Sequence, residues 1–110
     1  MKTINNVRNY PEIPRTFTGI VIWCNGDKEW YVKGRLSRSD GPACEYHEGS
    51  KCWFVDGKRS RLDGPAVEWA GGDKFWWIDG NGFTFEQFWE QQKDTEYAPA
   101  IIAYVLGAKK

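Results

Sequence analysis

Residues 44–66 read CEYHEGSKCWFVDGKRSRLDGPA, and their reading decides the fold, because the chain repeats this pattern every 23 residues. Trp30, Trp53 and Trp76 keep the period, as do Gly26, Gly49 and Gly72, then Gly34, Gly57 and Gly80, and Lys28, Lys51 and Lys74. Trp23, Tyr46 and Trp69 follow it too, and Asp40-Gly41-Pro42-Ala43 returns as Asp63-Gly64-Pro65-Ala66. Self-similarity at such a period marks a repeat architecture in which each unit is one supersecondary element. Cys44 to His47 and Cys52 to Val55 have strand-like character around Gly49-Ser50. A glycine first in a two-residue connection suits a type II′ turn, which needs positive φ there. Three tandem hairpins in a meandering antiparallel sheet are therefore expected, a mainly β fold.

This turn sets a register. Glu48 would face Lys51, His47 would face Cys52, Tyr46 would face Trp53 and Cys44 would face Val55. Cross-strand partners share a face. Cys44, Tyr46, Trp53 and Val55, with Val21, Trp23, Trp30, Val32, Val67, Trp69, Trp76 and Ile78, are then expected as the core. The other face would carry Tyr31, Phe54 and Trp77 as a ladder of rings, with Glu45, Glu68 and His47 beside them. Such a ladder is either a second core or an exposed strip that grips a partner, since aromatic anchors dominate interfaces.

The ends differ from the middle. Residues 1–18 are a polar, proline-containing extended segment, and 19–82 hold the hairpins. Residues 83–110 are expected as a helical cap, because a terminal repeat has no neighbour to cover it. Thr84-Phe85-Glu86-Gln87 matches a capping box, and Pro99 suits the first turn of a second helix. Ile101, Ile102, Val105 and Leu106 supply its apolar stripe. The 110 residues are read as one domain.

Lys plus Arg equal Asp plus Glu at 15 each. This neutral balance gives no basic excess for nucleic acid. No apolar run approaches the roughly 20 residues of a membrane span, and the N-terminus lacks a secretory apolar stretch. A cytoplasmic location with three reduced cysteines is expected. The one histidine, His47, would face Cys52, but the sister units do not repeat that pair, so no catalytic role is assigned. No metal set is expected either: strand spacing puts Cys24 and His47 about 9–10 Å apart, and Cys44 points to the other face. Arg38/Asp40 and Arg61/Asp63 recur between hairpins and are read as a structural clasp, an anion site being the alternative. No cofactor is expected.

The unit, with its recurring Arg38-Ser39-Asp40-Gly41-Pro42-Ala43 and Arg61-Leu62-Asp63-Gly64-Pro65-Ala66, resembles a MORN-type hairpin repeat over about residues 19–90. It resembles a variant with an Arg-x-Asp-Gly-Pro-Ala segment found in small proteins of bacteria and large bacteriophages. It departs from the usual unit in placing Gly57 four positions after Trp53, where three is common. The resemblance implies protein contact or scaffolding, and an accessory protein that binds and inhibits a host protein. The expected partner is a protein or a second copy of the chain, through Tyr31, Phe54, Trp77, Glu45, Glu68 and His47. The alternative is a sugar or nucleotide held on the aromatic strip.

Overall fold

A computed structural model describes residues 2–9 and 12–107. Three equivalent turns build its frame. Tyr46 N–H donates to Ser50 O and Gly49 N–H donates to Tyr46 O, at 2.9 Å each. The same pair of bonds closes Trp23–Asp27 and Trp69–Asp73. Each connection is thus three residues long, a type I turn ending on a glycine with φ between 96° and 107° (Gly26, Gly49 and Gly72). A second set of turns has positive φ at both central residues: Lys33-Gly34, Asp56-Gly57 and Asp79-Gly80. This is the type I′ signature.

The strands are short: β1 (Lys2–Val7), β2 (Gly19–Trp23), β3 (Lys28–Val32), β4 (Arg35–Leu36), β5 (Cys44–Glu45), β6 (Lys51–Cys52), β7 (Phe54–Val55), β8 (Lys58–Arg59), β9 (Val67–Glu68), β10 (Lys74–Ile78) and β11 (Asn81–Phe83). The main sheet runs β1-β2-β3-β5-β6-β9-β10-β11, with β4 on β3, while β7 and β8 form a separate ribbon. All pairings are antiparallel except β1 with β2, which is parallel. The N-terminal segment is therefore an edge strand.

Two rungs cross the sheet. Val21 faces Glu29, Glu29 faces Cys44, Cys44 faces Cys52, Cys52 faces Val67, and Val67 faces Phe75. This rung is buried until its last member, Phe75, which is 48% exposed. The adjacent rung is Ile22–Lys28–Glu45–Lys51–Glu68–Lys74. Its charges alternate in sign and point to the opposite face, where neighbouring opposite charges attract.

This overturns the expected faces. Cys44 pairs with Cys52 and not with Val55, and Glu45 with Lys51 in place of Glu48. The pairing has slipped by three, an odd number, so every residue of the second arm changes side relative to the first. Tyr31, Phe54 and Trp77 join Val21, Cys44 and Val67 in the core. Trp30, Trp53 and Trp76 lie on the lysine and glutamate side, since each stands two residues beyond Lys28, Lys51 or Lys74 in its arm.

At the C-terminal end, α1 (Phe85–Gln92) starts on the expected capping box: Thr84 Oγ1 accepts from Gln87 N–H, and Gln87 Oε1 accepts from Thr84 N–H. α2 (Ala98–Gly107) follows. Phe85, Phe88 and Tyr104 gather on Trp76, with ring centres 5.0, 4.8 and 6.3 Å away. Ile101 is fully buried, but Ile102 and Leu106 of the expected stripe are exposed.

Candidate functional site

The Arg-x-Asp-Gly-Pro-Ala loops close around tryptophan. Arg38 Nε donates to Asp40 Oδ1 at 2.8 Å, and its Nη1 donates to Pro42 O and Glu45 Oε2 at 3.0 Å. Arg61 repeats this with Asp63 at 2.9 Å, Pro65 O at 3.1 Å and Glu68 at 3.0 Å. The guanidinium carbons lie 3.9 Å from the Trp30 ring centre and 3.8 Å from that of Trp53. A planar fork suits both jobs, since it stacks on the ring while its edge meets carboxylates. The glycine of each loop makes room: a Cβ on Gly64 would lie 2.6 Å from Arg61 Cζ.

The two clasps bound a concavity of about 740 Å³. Trp53, Val55, Leu62 and Tyr97 give it apolar walls. Asp40 and Asp63, one repeat apart, stand on its rim with side chains 83% and 50% exposed. Each arginine is shared by two carboxylates, so a clasp carries one negative charge in excess. The Arg38 hydrogen bond and charge hold Asp40 below the usual carboxylate range.

The sequence-predicted residues separate. Glu45 and Glu68 belong to the clasps. Tyr31 is buried, and its hydroxyl donates to Glu29 Oε1 at 3.1 Å. It cannot face a partner, which corrects the expected strip. Phe54 and Trp77 are half-buried, with the Arg59 guanidinium 5.7 and 5.4 Å from their ring centres. His47 does not face Cys52; it sits at a hairpin tip, with Nδ1 2.7 Å from Asp27 Oδ1. Burial, then the Glu29 carboxylate, pushes the Cys44 thiol up to about 12, and burial raises Cys52 as well. Neither thiol is thiolate at neutral pH. Among the described residues no three His, Cys, Asp or Glu side chains are placed to hold a metal. No helix among them is long and apolar enough to cross a membrane.

The tips are stapled to one another. Asp27 Oδ1 accepts the His47 backbone N–H at 2.8 Å, and one repeat later Ser50 Oγ accepts the Ala70 N–H at 2.9 Å. Burial raises the Asp27 pKa, but hydrogen bonds from His47 and Asn25 outweigh it and leave it lowered. A carboxyl lowered on folding contributes stability above its unfolded value, near 3.9, and loses it as pH falls through the folded value. Asp27→Asn is expected to cost about 1 kcal/mol at neutral pH. Its difference from the parent should shrink in urea melts repeated at strongly acid pH. An unchanged difference would show that the charge is not the source.

Comparisons with protein families, curated proteins and solved structures give no match for this chain. The groove, the clasps and the tips therefore stand on geometry alone. Sequence reasoning missed Trp53 and Tyr97 as groove walls. The constant separation of Trp30 from Arg38 and of Trp53 from Arg61 was the available signal.

Proposed function

We propose that this chain is a non-enzymatic protein-binding module that docks an extended, basic segment of a partner in the groove between the two clasps. The observation that carries this reading is the groove itself: apolar walls under two outward carboxylates set one repeat apart. A segment with lysines or arginines at matching spacing would neutralise Asp40 and Asp63 while burying apolar side chains on Val55 and Leu62. Interfaces commonly combine such a desolvated centre with a charged rim. The resemblance to MORN-type repeats supports protein contact as the use of the array, and an accessory protein that blocks a host protein by occupying its surface is consistent with it.

Val55, half-exposed in the groove wall, provides the test. Val55→Arg is expected to weaken a captured bacterial partner about tenfold or more, as loss of a central contact does. Ile4→Arg, on the distant edge strand, should leave capture unchanged. Raised salt should release the partner from the parent protein. Equal capture by folded Val55→Arg would sink the reading. Light scattering separates the homodimer: a dimer that Val55→Arg splits assigns the groove to a second copy.

A further inference from the structure

Glu29 occupies a core position. The repeat places Cys52 and Phe75 at the equivalent sites, and its neighbours across the rung are Val21 and Cys44. It is only 9% exposed. A buried carboxylate without a counter-charge is strongly disfavoured. Yet Glu29 has no ion pair among the described residues. Both of its hydrogen bonds, from Trp23 Nε1 at 3.0 Å and from the Tyr31 hydroxyl at 3.1 Å, fall on one oxygen, Oε1. The carboxyl lines a cavity of about 480 Å³, walled by Trp23 and Tyr46, with Asn25 and Asp27 at its rim. Oε2 has no hydrogen-bond partner among the described residues and, since none of their buried side-chain oxygens is unsatisfied, it is open to the cavity.

We infer that this cavity binds an organic ammonium ion. Aromatic side chains in the wall attract a cation, and the Glu29 oxygen that is open to the cavity supplies the opposite charge. Hard metal ions are poorly served, because they demand six or more oxygens. A neutral sugar would leave the carboxylate uncompensated. Arg8 also lines the cavity but is exposed and makes no ion pair with Glu29. The site shares no lining residue with the clasp groove and does not depend on the protein-binding reading. The ammonium could belong to a free amine or to a lysine side chain of a partner.

The test is a titration of the folded protein followed by the Trp23 indole N–H resonance. The probes are tetramethylammonium chloride and Nα-acetyl-lysine amide, each against sodium chloride at equal ionic strength. Saturable, millimolar binding of either probe is expected; the tighter one identifies the source. Glu29→Gln should weaken it at least about tenfold by removing the charge, and Tyr46→Leu should weaken it severalfold without touching that charge. Arg8→Ala should bind as well or better. The idea fails if neither probe moves the resonance beyond the salt control. It also fails if folded Glu29→Gln or Tyr46→Leu binds like the parent, or if Arg8→Ala abolishes binding.

Discussion

Arg61→Ala is expected to lower the stability by about 3 kcal/mol, in the range seen when one partner of a buried ion pair is removed. The side chain is 17% exposed and Glu68 is 21% exposed, so both charges are largely out of water. Removing the guanidinium takes away the ion pair of Glu68 and leaves Pro65 O without its donor. It also uncovers the face of Trp53 and opens a void over Gly64. Arg61→Lys keeps the charge and loses the fork, so it should fall between parent and alanine. Asp63→Ala removes only the exposed partner, worth under about 1 kcal/mol. The order parent, Asp63→Ala, Arg61→Lys, Arg61→Ala in urea midpoints is the result to look for. A midpoint for Arg61→Ala within experimental error of the parent would show that the loop holds without its clasp. The same variant should also reshape the groove, because Arg61 and Asp63 line it.

That clasp was legible in outline. Arg38, Asp40, Arg61 and Asp63 recur with their glycines, and a structural pairing follows from the chemistry of the fork. Its acidic third member was not legible. Glu45 and Glu68 look solvated in a strand pattern, and their arginines lie seven residues upstream. Only folding of the loop brings them together.

The turns at Gly26, Gly49 and Gly72 were legible in place, since each glycine needs positive φ in either turn type. The turn type itself was not. A glycine that opens a two-residue loop and one that closes a three-residue loop have the same sequence signature. The two choices differ by three in register and so exchange faces. Hydrophobic alternation could not arbitrate, because the second arm is apolar on both parities: Cys52 and Phe54 on one, Trp53 and Val55 on the other. The tryptophans settled on the polar side because arginine stacking lets an indole lie there without being left to water. Glu29 has no equivalent in the sister units, so the period gave no warning of a carboxylate in the buried rung.

Phe88→Ala is expected to cost about 3–5 kcal/mol, the range for truncating a buried aromatic ring. Phe88 is fully buried, and its ring centre lies 4.8 Å from that of Trp76. Trp76 is the third tryptophan of the series, and the period puts Thr84 where a third arginine would stand. No clasp can form there. Thr84 instead caps α1, and the helix brings Phe85 and Phe88 to the ring that Arg38 and Arg61 cover elsewhere. The cap is thus the apolar substitute for a missing guanidinium, and Phe88 is its centre. For a small domain with a total stability of about 5–15 kcal/mol, such a loss should detach the helices while the hairpins persist. Helical circular dichroism should then melt before the sheet signal, with a red shift of tryptophan emission in the first transition. Phe88→Leu, which keeps most of the volume, should restore a single transition. Coincident melting of Phe88→Ala by both probes, near the parent midpoint, would mean that the repeat array does not need its cap.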